Sequence, residues 1–370
     1  METLNHEFIP INAIHPTEII KDEMRARGLK RGELAKRMDM QLSNLSRFIN
    51  KKESITSNIA SKLEIAFGIK SEVWLNMQAA YDRDVVLISD RDIQEKEYSS
   101  IENLLSNVLN IALLFKQLSI DTYTFAQDRI KKLYSIFCVN STDELIAISS
   151  PAGLFKKSEK LSSDERNIKT WVLLAHLECL KQNSAANYKN GNAVLAAEEI
   201  AKKANTEDIT EKLLSDILFR YGIGYGVVNK IEKAPIDAYS TIMHQTPYVI
   251  TSHRHNNMDM LVFDILHELK HIHTDLKDGE SNLSCNDSSE INNDEKELEA
   301  NKFAEDKLIP PHIWKKILSS SPKSLNHNHV FNAVVNEATK NGIKASIASW
   351  RYKHENKYYS LRGYSSQKIK

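Results

Sequence analysis

The sequence predicts a mainly α protein with an N-terminal helix-turn-helix bundle, a helical middle region and a C-terminal α+β domain. Three observations predict it. From about Thr17 to Asp82, apolar residues recur at three- and four-residue spacing between capping and turn residues. Five more helical patterns follow, at Ile101–Leu118, Thr122–Phe137, Asp164–Leu180, Val194–Ala204 and Thr210–Tyr221. Then GIGYGVVNKI and TPYVITS have the Gly-bounded, β-branched character of short strands and precede a strong helical pattern at Met258–Leu276.

Taken in order, residues 1–82 form the helix-turn-helix domain. Residues 83–100, charged and weakly periodic, are expected as a linker, and 101–219 as the helical middle, without a cluster of chemically suggestive residues. The α+β domain spans 220–359, and 360–370 is a tail. DGESNLSCNDSSEINND (Asp278–Asp294) and SSSPKSLNHNH read as exposed loops.

At 370 residues the chain is too long for a single small module. Its 49 basic and 49 acidic side chains balance, so any nucleic-acid contact must come from a local patch. Cys138, Cys179 and Cys285 form neither a disulfide framework nor a CxxC pair, and none has a neighbouring His placed as a base. No apolar run approaches the roughly 18 residues of a membrane span, and the start lacks the features of a signal peptide. The expectation is a cytoplasmic protein without a membrane partner.

The segment LKRGELAKRMDMQLSNLSRFINKK folds on paper as two helices around a tight turn. Leu34, Ala35 and Met38 give one apolar face, and Met40, Leu45, Phe48 and Ile49 another. Asp39 sits in the turn, where a left-handed conformation is needed and Asp tolerates it better than most residues. Between Lys21 and Lys52 ten Lys or Arg stand against four acids, the footprint that phosphate binding requires. Gln41, Leu42, Ser43, Asn44 and Arg47 lie on the exposed start and outer face of the second helix, within reach of base edges. Arg31, Lys51 and Lys52 complete the candidate DNA-binding set, Lys51 as a phosphate contact. The plain alternative is a solvated basic face on a four-helix bundle.

HPTEIIKDEMRARGL, GELAKRMDMQLSNLSRFIN, ITSNIASKLEIAFG and SEVWLNMQAAYD, in that order, resemble the XRE-type helix-turn-helix domain of HigA-like antitoxins across about residues 15–82. The resemblance implies a homodimer on a palindromic double-stranded DNA operator. Asp39 replaces the family's usual Gly and Leu42 a more often polar residue, so base preference does not carry over.

LVFDILHELKHIHTD contains HExxH as His267-Glu268-Leu269-Lys270-His271. On a helix the imidazoles at i and i+4 share a face and can hold one Zn2+, and Glu268 beside them can take a proton from a water. The plain alternative, a surface helix, conflicts with Leu261, Val262, Ile265, Leu266, Leu269 and Ile272. His273 falls about 200° round the helix from His271 and cannot share its metal. The next helical pattern, EKELEANKFAEDKLIP, offers Glu295, Glu297 and Glu299 as candidates for a third ligand. Glu297 shares a face with Ala300, Asn301 and Ala304, which would let it pack closely, and is preferred over Glu299, whose face carries Phe303. His253, Arg254 and His255 could line a cleft or simply end a strand.

His267, His271, Glu297 and Glu268, with the segment from Glu297 to Pro310, resemble the ImmA/IrrE metallopeptidase family over roughly residues 220–355, which implies a zincin-like fold. Lys270 replaces a common Gly there. Two readings follow. The first is a transcriptional regulator with a zinc-dependent peptidase domain acting on a repressor, a toxin partner or itself. The second is a non-enzymatic antitoxin or repressor whose zincin-like domain senses a ligand or binds a toxin. A stand-alone metalloprotease would leave the N-terminal pattern without a role.

Overall fold

The computed structural model describes residues 9–150, 163–182, 187–277, 280–284, 295–322 and 326–369, with the backbone alone at Lys51 and 281–284. Cys285 and most of the expected Asp278–Asp294 loop lie outside the described residues. The chain divides into two compact units, the first reaching Ser100 and taking in Phe125–Gln127, the second formed from Ile101 onward without those three residues. Among the described residues the fold is mainly helical, with a small sheet in the C-terminal part.

The first unit holds α1 (Pro16–Ala26), α2 (Arg31–Arg37), α3 (Leu42–Lys51), α4 (Ser57–Phe67) and the start of α5 (Ser71–Val108). His15 caps α1, its Nδ1 accepting the Thr17 N–H at 3.2 Å, and Pro16 at the first helical position loses no hydrogen bond there. Helix α2 ends in a Schellman turn, where the Met40 N–H donates to the Ala35 carbonyl at 2.9 Å and the Asp39 N–H to that of Lys36 at 3.3 Å. Asp39 takes the left-handed conformation there, at φ 48°. The turn lets Ile20, Leu34, Met38, Leu45, Ile49, Leu63 and Trp74 meet in one fully buried core. Each contributes about 1.5–3 kcal/mol on burial.

Residues 83–100, expected as a linker, are helical throughout and continue α5. From Ser71 to Val108 there is no Gly or Pro to stop a helix, and the charged stretch is made largely of good helix formers.

In the second unit, α6 (Ile111–Gln117), α7 (Ala126–Phe137), α8 (Thr142–Ser149), α9 (Glu165–Leu180), α10 (Asn192–Thr206) and α11 (Glu211–Arg220) precede the sheet. Its strands are β1 (Gly224–Val227), β2 (Ala238–Met243), β3 (Thr246–Thr251) and β4 (Ser281–Ser284), in the order β1-β3-β2-β4. β1 runs parallel to β3, and β2 pairs antiparallel with both β3 and β4. Strand β4 lies within the segment expected to be a loop, because Ser281–Ser284 pair with Thr241–Ala238. On one face, a Cβ at Gly224 would collide with the Tyr248 ring, so that strand accepts only glycine there.

Between β3 and β4 lies α12 (Met258–Thr274), followed by α13 (Glu295–Leu308), α14 (Pro311–Ser320), α15 (His327–Lys340) and α16 (Ala345–Asn356). One core joins Ala196, Ala197 and Ile200 of α10 and Ile217 of α11 to Ile265 and Leu266 of α12, and to Val334 of α15 and Ala348 of α16. Helices that the sequence grouped with the middle region thus share the core of the α+β domain. The tail takes part too, since the Met258 N–H donates to the Gln367 carbonyl at 2.9 Å and the Asp259 N–H to Ser366 Oγ at 3.0 Å.

Candidate functional site

In the first unit, Gln41 is the N-cap of α3, and Gln41, Leu42, Ser43 and Asn44 are four consecutive exposed residues. Leu45, next in sequence, turns into the core. Among the described residues the polar side chains of Gln41, Ser43 and Asn44 make no hydrogen bond or ion pair within the chain. The cationic candidates differ. Arg47 Nε donates to Glu53 Oε1 at 3.0 Å, an Arg31 N–H to Asn50 Oδ1 at 3.3 Å, and Lys52 Nζ lies 3.4 Å from Glu18 Oε1. These are exposed contacts, worth under about 1 kcal/mol, and cost little to exchange for another partner. The Lys51 side chain lies outside the described residues. Part of the local basic excess is structural, because Arg27 donates to the Phe67 carbonyl at 2.7 Å and Arg37 to that of Ala66 at 3.4 Å, where they neutralise the C-terminal end of α4.

In the second unit, α12 begins at Asn257, whose Oδ1 accepts the Met260 N–H at 3.1 Å, and runs with most of its surface buried against the sheet, α10 and α13. His267, Glu268 and His271 all lie on buried positions. The two imidazole Nε2 atoms are 3.1 Å apart. Glu297 on α13 closes the group, with Oε2 3.2 Å from His267 Nε2 and Oε1 3.3 Å from His271 Nε2. A tetrahedral ion with bonds near 2.0–2.1 Å spaces its ligand atoms about 3.3 Å apart, so this donor set fits one zinc-sized cation. Both Nδ1 atoms face outward to acceptors: His267 Nδ1 lies 2.9 Å from Asn301 Oδ1 and His271 Nδ1 2.8 Å from Asp275 Oδ2. In the neutral imidazoles a metal would need, these contacts favour the proton on each Nδ1 and leave each Nε2 lone pair for the common centre.

The close approach depends on Ala300 and Ala304, fully buried on the face of α13 that carries Glu297. Glu299 turns away and its Oε2 accepts from Lys270 Nζ at 3.2 Å, so the structure brings Glu297 to the histidines and leaves Glu299 outside. His273 is exposed. Glu268 Oε2 accepts the Ser240 Oγ–H from β2, and its Oε1 is buried without a partner in the described residues.

Electrostatically the group is tightly coupled. Burial alone would lower the His271 imidazole, but Glu297, Glu268 and Asp275 outweigh it and raise its pKa to about 9. Burial likewise opposes ionisation of Glu297, yet His267 and His271 hold its carboxyl well below the usual range. Asn301, Asp275 and Ser240 are site residues that the sequence reading does not single out. Asp275, four residues after His271, has the spacing of a helical partner and is the one that spacing could have found.

Arg254 donates twice to buried Asp237, at 2.8 and 2.9 Å, and His255 Nε2 lies 3.1 Å from the same carboxylate. His253 Nε2 lies 3.4 Å from the Tyr225 hydroxyl. Burial opposes ionisation of Asp237, but His255 and Arg254 lower its pKa overall. A depressed carboxyl stabilises the fold above its unfolded pKa of about 4, and that stabilisation is lost as pH falls through the folded value. Arg254→Ala is expected to cost on the order of 3 kcal/mol at neutral pH by leaving a buried charge unpaired, with a smaller cost toward pH 3. Urea denaturation at the two pH values checks this.

No family model matches the chain. A stretch of 71 residues is 38% identical to virulence-associated protein I of Dichelobacter nodosus, covering 19% of this chain and 66% of that protein. Over 72 residues, 19% of this chain, it is 39% identical to virulence-associated protein A' of the same organism, covering 63% of it. The chain thus spans just under two thirds of the length of these relatives. Over 70 residues, 19% of this chain, it is 30% identical to the uncharacterized HTH-type transcriptional regulator YddM of Escherichia coli (strain K12), covering 74% of it. Among solved structures it is similar to an addiction module antidote protein of a HigA family from Coxiella burnetii, at 33% identity, 24% of this chain, 96% of that chain and a TM-score of 0.21. It is also similar to an antidote protein of a plasmid maintenance system from Nostoc punctiforme, at 29% identity, 23% and 94% coverage and a TM-score of 0.22. The N-terminal 70 or so residues carry the match to the helix-turn-helix transcriptional regulators.

Proposed function

The chain belongs, through its N-terminal 70 or so residues, to the helix-turn-helix transcriptional regulators, and on that premise we propose that it binds an operator as a dimer and carries a zinc-dependent peptidase domain of the ImmA/IrrE kind, acting on a repressor, a toxin partner or itself. The observation that carries the second half is the convergence of His267, His271 and Glu297, whose ligand atoms lie within 4.8 Å of one another.

His267 and His271 would hold the ion through Nε2 and Glu297 through its carboxylate, while Asn301 and Asp275 fix the two imidazole tautomers. When bound, zinc supplies Lewis acidity that polarises a carbonyl and brings the pKa of a water near 7. Glu268 takes the water's proton on Oε1, the oxygen left without a partner, and hands it to the leaving amine. Ser240 keeps the other carboxylate oxygen fixed. One observation favours the second reading, a sensing or docking domain without hydrolysis: Glu268 is completely buried, so a substrate carbonyl reaches it only if the site opens.

For the first unit, titration of the full chain on its own promoter duplex should lose roughly 10³-fold in affinity between 50 and 200 mM salt, as expected for about six phosphate contacts in a dimer. A salt-independent shift, or none, contradicts operator binding.

A further inference from the structure

Three of the four exposed residues that open α3 are hydrogen-bonding groups, and the fourth is not. Leu42 is 52% exposed, whereas Leu45, Phe48 and Ile49 on the same helix are at most 2% exposed. The core contact at this end of the helix is made by Leu45, so Leu42 has no place in the unit's packing. It stands between Gln41 and Ser43, two residues before Asn44, all three polar and unpaired among the described residues, and the neighbouring charged candidates Arg31, Arg47 and Lys52 are cationic. A protein-docking face calls for a contiguous apolar patch, and one leucine among amides and a hydroxyl does not supply it. A phosphate backbone offers a leucine nothing to bind. In the major groove, however, each A·T pair presents an apolar group, the C5 methyl of thymine, beside the N6 and N7 edge of adenine that an Asn or Gln amide matches. The first turn of a recognition helix is the part that faces base edges.

We infer that Leu42 is a specificity-determining residue that reads a thymine methyl in each operator half-site, next to an adenine read by Gln41 or Asn44. The inference rests on the DNA-binding reading above, and its test separates the two. A binding sequence is selected from random duplexes with the full chain, and each thymine in it is replaced by uracil, which removes the methyl and leaves every hydrogen-bonding group in place. At one thymine per half-site the replacement should weaken wild-type binding about 3–5-fold, the worth of one buried methyl. The same replacement should leave Leu42→Ala unaffected, and Leu42→Met should retain the penalty. If no replacement weakens wild-type binding by as much as about two-fold, or if Leu42→Ala suffers the same penalty, the inference is wrong while DNA binding stands. If no duplex is selected at all, the DNA-binding reading fails and the inference with it.

Discussion

Glu268→Gln is expected to leave the metal content of the chain unchanged and to slow hydrolysis by roughly 10²–10⁴-fold, the contribution of a positioned general base. The amide is nearly isosteric, and its oxygen can still accept from Ser240 Oγ, so the buried surroundings of Glu268 need not rearrange. None of the three ligand atoms belongs to this residue, so zinc binding survives. What disappears is the ability to hold a proton at Oε1. In cells, the readout is the level of the partner protein and of the chain's own transcript under the stress that relieves repression, compared at equal zinc content. Identical behaviour of wild type and Glu268→Gln under every such condition would leave the domain a sensor or docking surface.

The second large effect is expected from α3, the proposed recognition helix. Asn44→Ala and Arg47→Ala are each expected to weaken operator binding by about 1–3 kcal/mol, roughly 5–150-fold, and to do so only on the specific sequence. Asn44 can reach a base without breaking any hydrogen bond within the chain. Arg47 must first leave Glu53, but that exposed pair is worth less than a bidentate bond to a guanine edge, so the exchange is favourable. A mobility-shift titration of the double variant that overlays the wild-type curve would show that α3 does not read bases.

Much of this is legible in the residues because local chemistry and fold agree there. Asp39 between two apolar faces marks the turn, and the i, i+4 histidines mark a shared helix face. Ala300 and Ala304 beside Glu297 point to a close helix contact, which the pairing of Glu299 with Lys270 complements. Legibility fails where tertiary context decides. Strand β2 is buried at Ala238–Thr241 on both faces, so it shows no alternation, and Ser240 stays hidden with it. The charged stretch at 83–100 has no apolar stripe, yet nothing in it interrupts α5. Helix α8 escapes the periodicity reading although Ser141 accepts the Glu144 N–H at 3.2 Å and the Asn140 N–H donates to Glu144 Oε2 at 2.8 Å, a capping arrangement visible as Ser141 and Glu144 three apart. The alanines of α10 carry no functional signal, and only the packing reveals that they support the histidine helix.

We propose that the second unit is built around one metal held by His267, His271 and Glu297. Elemental analysis of the full chain, purified without chelator, tests it most directly. Wild type and Glu299→Ala should each carry about one zinc per chain, and His271→Ala and Glu297→Ala should lose most of it. A wild-type chain without stoichiometric metal, or zinc that persists in Glu297→Ala and vanishes in Glu299→Ala, would contradict the account.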